Sequence, residues 1–193
     1  DEIIKYNSID LESIENDKLA HLITKTAEKI SAKHIIISNT SRGKSICSKI
    51  AFDTNSSLIT NAIALPTKYK PINIKCKAFS SKAFSYYKST ADKNVITILP
   101  NSVGCETNPS TAKITDGDIN LLHFESSTEI LREEKNSCEI SLTDAERVIS
   151  AGRGLKAPEN WKMIEELAKL INGGIACSKP VSDMGWRPHS EHV

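Results

Sequence analysis

Apolar and polar positions in the first third of the chain predict alternating helices and strands. Residues 17–31 have apolar side chains at helical spacing, and Asp17 stands where an N-cap is expected. The β-branched run His34–Ser38 follows at once and predicts a strand buried on both faces, as in a parallel sheet. A second helix is predicted over 42–52, and a strand over 58–65 that Pro66 ends. This order is typical of an α/β domain.

The middle of the chain has a different pattern, with short runs of period two. Residues 72–88 predict two antiparallel strands joined near Ser80 and Ser81. Residues 94–99 predict a buried strand that Pro100 closes. We expect a polar loop over 101–117, a short strand over 121–125 and a charged strand over 130–140. A linker is predicted around 141–145, and the domain boundary is therefore placed between residues 141 and 142.

The C-terminal segment, 142–193, has the pattern of a βαβ unit. A strand over 147–150 enters a glycine-rich turn, and 158–170 predict a helix in which Pro158 and Glu159 suit the first turn. A second strand over 175–178 is then expected to run parallel to the first. Such units have right-handed crossovers, and because their two strands are parallel, both would end at one edge of a sheet.

Composition and charge exclude several classes of function. The chain has 193 residues, 39% hydrophobic and only 5% aromatic, so aliphatic side chains must supply the core of one or two domains. Its 25 basic and 24 acidic residues give a net charge of +1, which offers no argument for a nucleic-acid partner. No apolar run approaches the ~20 residues that span a bilayer, so we expect no direct membrane insertion.

The five cysteines are far apart and odd in number, so we expect free thiols in a reducing compartment rather than a metal site or disulfides.

Residues 40–45 end like a phosphate-binding loop, but Ser38 replaces the required glycine, and we expect a solvated loop entering a helix. Residues 189–192 contain three potential metal ligands, but no second group of ligands elsewhere in the sequence accompanies them. The segment therefore predicts a polar loop. No nucleophile elbow or carboxylate pair is present, so no catalytic residue is expected. Trp161 and Trp186 are interpreted as packing residues.

The glycine-rich turn is the strongest candidate site. Gly152 and Gly154 would let the backbone approach a phosphate where a strand feeds a helix, and Arg153 adds a positive fork. Ser178 and Lys179 end the next strand, on the same expected edge. The pattern predicts a site for a phosphorylated cofactor, and a glycine turn with a surface arginine is the structural alternative.

Residues 149–156 (ISAGRGLK), Glu159-Asn160 and 176–185 (ACSKPVSDMG) resemble the α subunit of electron transfer flavoprotein. A weaker similarity extends through 61–66, 78–84 and the early helix. The resemblance implies an N-terminal adenine-nucleotide-hydrolase-like α/β domain over 1–141, lacking its first elements, followed by the start of a Rossmann-like FAD-binding domain with parallel strands. The family signature continues with a Gly-Gln-Thr-Gly run. We therefore expect a chain truncated at both ends that binds FAD weakly or not at all.

The resemblance also implies a function. The protein would be an electron carrier, not an enzyme, with FAD as its cofactor and a β subunit as its partner in a heterodimer. It would pass electrons from acyl-CoA-type dehydrogenases of fatty acid β-oxidation to a quinone oxidoreductase or a similar acceptor, in the bacterial cytoplasm or the mitochondrial matrix. Two alternatives remain: a nucleotide-binding α/β module without a redox role, and a domain that only docks the β subunit.

The resemblance assigns a set of cofactor-binding positions. They are Gly152, Arg153, Gly154, Ser178, Lys179, Asp183 and Val193. Arg153 matches an arginine that contacts FAD, and Ser178 a serine that hydrogen-bonds it. Lys179 occupies a position where relatives have arginine beside the flavin ring; lysine keeps the charge, which would favour the reduced flavin, but lacks the planar fork.

Overall fold

The computed structural model describes residues 2–7, 13–105, 107, 109–132, 142 and 145–193. The chain divides into two compact units, Asp1–Glu133 and Glu134–Val193. The predicted boundary at 141/142 adjoins residues outside the described part and stays a prediction. Among the described residues, no helix is both long enough and apolar enough to cross a membrane.

Unit 1 contains eight strands, two α-helices and a 3-10 turn in its described part. In chain order they are β1 (Glu2–Lys5), α1 (Asn16–Lys29), β2 (His34–Ser38), α2 (Ser41–Asp53), β3 (Ser57–Ala62), β4 (Lys68–Tyr69), β5 (Ile72–Ala78), β6 (Ala83–Ser89), β7 (Asn94–Ile98), β8 (Lys113–Asp116) and the turn Ile119–Leu122. The main sheet has the order β2-β7-β3-β5-β4, with β6 paired to β5. Strands β2, β7 and β3 are parallel, whereas β4, β5 and β6 are antiparallel.

The core of unit 1 is aliphatic, as the low aromatic content predicts. Helices α1 and α2 pack against each other, and α2 packs on β7, where Ile50 and Val95 are fully buried. A second cluster lies under the antiparallel strands; it comprises Ile59, Ala62, Ile72, Ile74, Cys76 and Ile96. The predicted helix over 42–52, the antiparallel pair and the strand beginning at Asn94 are confirmed.

The start of α2 corrects the prediction for residues 40–45. They do not form a solvated loop, because the helix begins at Ser41 and Thr40 caps it by accepting a hydrogen bond from the Gly43 amide at 3.1 Å. A Cβ on Gly43 would lie 1.9 Å from the Ser38 carbonyl oxygen. The glycine therefore allows close packing of helix and strand.

Two predictions near α1 are wrong. Asp17 is not the N-cap, because Glu15 precedes the helix and Asp17 lies in its first turn. The Asp17 carboxylate instead accepts hydrogen bonds from Ser126 Oγ (2.6 Å) and Ser127 N (2.9 Å). Strand β2 is not buried on both faces, because it is at the end of the sheet order and Ile36 is 58% exposed.

Other boundaries differ as well. The strand predicted over 58–65 ends at Ala62, one residue after Asn61 adopts a positive φ of 59°. The loop predicted over 101–117 contains β8, which pairs in parallel with β1. Residues 121–125 are not a strand, since a 3-10 turn occupies Ile119–Leu122. For the strand predicted over 130–140, residues 130–132 are irregular and the others lie outside the described residues.

Unit 2 confirms the predicted βαβ unit. It comprises β9 (Val148–Ala151), α3 (Lys162–Leu170), β10 (Gly174–Cys177), α4 (Lys179–Asp183) and 3-10 turns at Arg153–Leu155, Pro158–Trp161 and His189–Glu191. Strands β9 and β10 are parallel, with Ala151 opposite Cys177. The predicted helix over 158–170 begins as the 3-10 turn before α3. Trp161 is buried in the core with Ile164, Cys177 and Val181, and Trp186 packs against it.

Candidate functional site

The register of β9 and β10 brings the glycine turn and Ser178 to the same edge of the two-stranded sheet. Ala151 pairs with Cys177, so Gly152 and Ser178 are the next residues of their strands. The Ser178 amide donates to the Ala151 carbonyl at 3.0 Å, which continues the pairing beyond the strand ends. The two parts of the predicted site thus lie together.

Gly152 faces the Ser178 side chain directly. A Cβ built on Gly152 would lie 3.5 Å from Ser178 Oγ, and its backbone is extended (φ −125°, ψ −169°). The Ser178 hydroxyl forms no hydrogen bond within the described residues, even though Ser178 stands at the N-cap of α4. A free hydroxyl opposite a residue without a side chain leaves room for a polar ligand atom.

The turn after Gly152 exposes the charged residue Arg153 and the glycine Gly154 to solvent. The Leu155 amide donates to the Gly152 carbonyl (3.2 Å) and the Lys156 amide to the Arg153 carbonyl (2.9 Å), which closes the 3-10 turn. Arg153 is exposed and has no ion pair among the described residues. No atom of the described residues lies within 4 Å of a Cβ built on Gly154, so that side of the turn is open to them.

Lys179 and Asp183 are the first and last residues of α4, one helical turn apart, and both are exposed. Neither forms an ion pair within the described part of the chain. Lys179 adjoins Ser178 and adds a second cation near the sheet edge. For Asp183 the structure adds no contact with Gly152 or Ser178.

Val193 reaches the same edge through its backbone. Its amide donates to the Cys177 carbonyl at 3.1 Å, and His192 forms a parallel bridge with Cys177. The Val193 side chain is 68% exposed. Backbone atoms of Gly152, Ser178 and Val193 therefore all lie just beyond the ends of β9 and β10.

A charged cluster that the sequence did not reveal holds the last turn in place. Arg187 donates from Nε to Glu191 Oε2 (2.6 Å), from Nη2 to Glu191 Oε1 (2.8 Å) and from Nη1 to Glu165 Oε1 (2.9 Å). Its guanidinium lies 5.3 Å from the Trp161 ring centroid. The hydrogen bond with Glu191 raises the pKa of Arg187. The spacing of four between Arg187 and Glu191 was the available signal.

The same cluster bears on the potential metal ligands at residues 189–192 and on the thiol of Cys177. Glu191 is committed to Arg187, and no group of three or more His, Cys, Asp or Glu side chains among the described residues could hold a metal ion. Burial raises the pKa of the Cys177 thiol, and the nearby Glu191 charge raises it further. Cys177 is therefore an uncharged packing residue below Ser178.

The arrangement suits an anionic, phosphate-bearing cofactor. Two positions without side chains, a free hydroxyl and two unpaired cations gather at the carboxyl ends of parallel strands, where α/β sheets bind ligands. Nothing in this set acts as a nucleophile beside a base. The site can bind and orient a group that brings its own reactivity.

The carboxyl edge of the sheet in unit 1 differs in that its polar groups bond to each other. Thr97 Oγ1 donates to Asn39 Oδ1 (2.8 Å), and Asn39 Nδ2 donates to Asn61 Oδ1 (2.9 Å). The Asn61 amide in turn donates to Thr97 Oγ1 (3.3 Å). Asn39 and Thr97 are buried, so this network closes the ends of β2, β3 and β7.

Comparisons with known proteins agree with this division. Residues 1–120 match the family model of the electron transfer flavoprotein domain, and residues 141–193 match that of the electron transfer flavoprotein FAD-binding domain. FAD is thus the cofactor of the family domain that contains the site.

Three relatives illustrate the similarity. YdiR of Escherichia coli strain K12, named as an electron transfer flavoprotein subunit, is 28% identical over 86% of this chain and 56% of its own length. A Cryptococcus neoformans var. grubii protein, named as a mitochondrial electron transfer flavoprotein subunit alpha, is 28% identical over 92% of this chain and 51% of its own. LctC of Acetobacterium woodii, named as a subunit of lactate dehydrogenase (NAD(+),ferredoxin), is 22% identical over 96% and 46%.

The chain spans about half the length of the curated relatives it matches. The two family models nevertheless cover most of its sequence, in the same order as the two compact units. The glycine turn and Ser178 both fall within the match to the FAD-binding domain. The chain therefore belongs to the electron transfer flavoprotein α-subunit family.

Proposed function

We propose that this chain forms part of the FAD-binding α subunit of a heterodimeric electron transfer flavoprotein, an electron carrier rather than an enzyme. The observation that supports it most is the 3.5 Å approach between Ser178 Oγ and a Cβ position on Gly152. This approach gives the glycine turn and the neighbouring strand a shared, open polar edge in a segment that matches an FAD-binding domain.

The residues at this edge would have distinct roles. The backbone of Gly152 and Gly154 lets a phosphate approach, Arg153 offers a planar fork of donors, and the Ser178 hydroxyl donates a hydrogen bond. Lys179 adds positive charge beside the cofactor. Assignment of Val193 and Asp183 to the site rests on the resemblance and, for Val193, on its bond to Cys177. FAD, when bound, supplies the redox chemistry, and the chain binds and orients it.

The proposed partners are a β subunit, acyl-CoA-type dehydrogenases as donors in fatty acid β-oxidation, and a quinone oxidoreductase or similar acceptor. The Cryptococcus relative's name, with its words "subunit alpha" and "mitochondrial", supports a multi-subunit protein and a mitochondrial location in eukaryotes, for which we propose the matrix. In bacteria we propose the cytoplasm. LctC is named for a lactate dehydrogenase, so the electron donor is the part of the proposal that needs a direct test.

Cofactor binding is tested by expressing the complete reading frame with its β subunit and measuring flavin absorbance per heterodimer. The unchanged protein should carry about one FAD, and Arg153→Leu and Ser178→Ala should each weaken FAD binding roughly tenfold, the loss of a charged or neutral hydrogen bond. Lys162→Gln, an exposed lysine on α3, is the matched control and should keep full occupancy. An unchanged FAD dissociation constant in both site variants, measured by titrating the flavin-stripped heterodimer with FAD, would refute the assigned edge.

Electron transfer is tested separately on the same flavin-loaded heterodimer. Under anaerobic conditions, an acyl-CoA dehydrogenase with its substrate should bleach the flavin absorbance, and a quinone oxidoreductase with quinone should restore it. Lactate dehydrogenase with lactate serves as the competing donor. If lactate dehydrogenase with lactate bleaches the flavin and the acyl-CoA dehydrogenase does not, the proposed acyl-CoA-type donor is rejected. The proposal on cofactor binding would be unaffected.

A further inference from the structure

The near-neutral charge of the chain conceals one basic segment. Residues 54–91 contain six lysines and no Asp, Glu or Arg. The rest of the chain contains the remaining 19 of the 25 basic residues and all 24 acidic residues, so its formal charge is −5. The six lysines are Lys68, Lys70, Lys75, Lys77, Lys82 and Lys88. None of them forms an ion pair within the part of the chain that the structure describes.

Strands β5 and β6 arrange part of this segment on one surface. The antiparallel register pairs Lys77 with Phe84, Lys75 with Tyr86 and Asn73 with Lys88, and cross-strand partners share a face. We call these six residues the outer face. The alternate residues Ile72, Ile74 and Cys76 point to the opposite side and are buried in the core. The outer face therefore has no core to pack against within the described part of unit 1.

Aromatic side chains on the outer face are left in solvent. Phe84 is 57% exposed and Tyr86 76% exposed, although the chain has only four Phe and four Tyr. Tyr69 in β4 and Phe79 in the turn between β5 and β6, both within the basic segment, are 64% and 81% exposed. Exposed tyrosine and phenylalanine are enriched at protein interfaces, and charged groups around them help to select and orient the partner.

We propose that the outer face of the β5–β6 hairpin binds the acidic surface of a separate protein. Carboxylates on the partner would pair with Lys77 and Lys88 at the two ends of the face, and Tyr86 would be covered between them. The charge contrast with the rest of the chain would orient the partner towards the hairpin during association.

Two observations favour a protein over a nucleic acid. The Lys75 ammonium lies 4.1 Å from the Phe84 ring centroid, so a cation already occupies the ring face on which a base would stack. A long polyanion would also meet the net negative charge of the remaining chain.

The test uses the complete protein with its β subunit and two fluorescent probes of about equal charge, a peptide of about ten glutamates and a thymidine oligonucleotide of about ten residues. The peptide should bind at low salt and be released as added salt screens the charges. The triple variant Lys75→Glu, Lys77→Glu, Lys88→Glu reverses every lysine of the outer face and should weaken peptide binding more than tenfold. Tyr86→Ser should weaken it several-fold at unchanged charge.

A matched triple reversal elsewhere controls for net charge. Lys44→Glu, Lys113→Glu and Lys162→Glu change exposed lysines that have no ion pair among the described residues. This variant should bind the peptide within about twofold of the unchanged protein. Equal losses in both triples, tighter binding of the oligonucleotide, or no binding of the peptide at low salt would overturn the proposal.

Two further measurements remove ambiguity. Lysine acetylation of the free heterodimer should modify Lys77 and Lys88; protection of both would show that the β subunit covers this face and would overturn a separate partner. If the charge-reversed triple folds poorly, the corresponding Lys→Gln triple replaces it, with a smaller loss expected. FAD content should stay unchanged in every hairpin variant, which separates this result from the cofactor proposal.

Discussion

Gly152 and Ser178 show how much of the candidate site depends on single atoms. The missing Cβ of Gly152 leaves an open volume, and the Ser178 hydroxyl on its far side has no partner within the described residues. Neither feature stabilises the fold, since Gly152 has an extended backbone that any residue adopts. Substitutions here should separate binding from stability.

Gly152→Ala should preserve folding and reduce FAD binding roughly tenfold. The new methyl group would make an ordinary contact at 3.5 Å with Ser178 Oγ, but it would occupy the volume proposed for the cofactor. The measurements are thermal unfolding and FAD occupancy of the complete heterodimer. Gly104→Ala is the control, because no atom of the described residues lies within 4 Å of a Cβ at that position. Unchanged occupancy in Gly152→Ala would argue against the proposed approach of the phosphate.

Asp17 makes unit 1 sensitive to acid. The Ser126 hydroxyl, followed by the Ser127 and Lys18 amides, lowers the pKa of Asp17 below its ordinary 3.8, against the opposing effect of partial burial. Because the folded-state pKa is depressed, the ionised carboxylate stabilises the fold above about pH 4, and this contribution is lost as the pH falls through the lowered pKa.

Asp17→Asn should therefore cost about 1 kcal/mol at neutral pH, a charged hydrogen-bond contribution reduced by solvent exposure, and much less near pH 3. Urea unfolding at both pH values measures the difference. Asp92→Asn, an exposed carboxylate without an ion pair among the described residues, should have little effect at either pH. An equal cost for Asp17→Asn at both pH values would contradict the role of its charge.

At the scale of elements, the Arg187 cluster connects α3 to the turn that precedes Val193. Arg187 bridges Glu165 on α3 and Glu191 in the last 3-10 turn, and its side chain is only 20% exposed. Partial burial makes such a bidentate pair stronger than a surface ion pair. The pair thereby supports the bond between the Val193 amide and Cys177.

Glu191→Gln should destabilise unit 2 by about 1–2 kcal/mol, because Arg187 loses a charged, bidentate partner. The Val193 amide should also exchange with deuterium faster than in the unchanged protein. Glu166→Gln, on the exposed side of α3, provides a control that should alter neither quantity. Hydrogen exchange followed by mass spectrometry measures both; slow exchange at Val193 in Glu191→Gln would exclude the supporting role.

Local patterns predicted the elements whose neighbours are close in sequence and missed those whose partners are distant. The βαβ unit and the β5–β6 hairpin follow from periodicity and turn residues, and both are present. Strand β8 has no apolar period and forms only because β1, over 100 residues earlier, pairs with it. The incorrect strand at 121–125 reflects the ambiguity of short apolar runs.

The candidate site was predicted to a similar degree. Gly152, Arg153 and Ser178 could be assigned to one edge because parallel strands end together. The pairing of Arg187 with Glu191 could not, since two charges four residues apart in a polar segment usually remain solvated. The sequence also could not predict that the Ser178 hydroxyl is without a hydrogen-bond partner among the described residues. A serine at an N-cap ordinarily accepts a hydrogen bond from its own helix.

At the scale of the whole chain, the two units have cores that share no residue. The core of unit 1 consists of two clusters that contain Ile50 and Ile74, whereas the core of unit 2 contains Trp161 and Val181. A cavity in one core should therefore affect that unit first.

Ile50→Ala should destabilise unit 1 by about 2–5 kcal/mol, because Ile50 is fully buried in α2. Hydrogen exchange should accelerate in α2 and β7 and change little in β9 and β10. Phe52→Ala alters the same helix at a side chain that is 85% exposed and should cost less than about 0.5 kcal/mol. Equal acceleration in both units for Ile50→Ala would indicate a single cooperative core.

The closed network of Asn39, Asn61 and Thr97 has a consequence for what the complete protein can hold. A nucleotide entering at that end of the first sheet would have to break the hydrogen bonds that Asn39, Asn61 and Thr97 already make with one another. Such an exchange gains little, since each new contact replaces an old one. Calorimetric titration with adenosine phosphates should therefore detect no binding at this end of the unit 1 sheet.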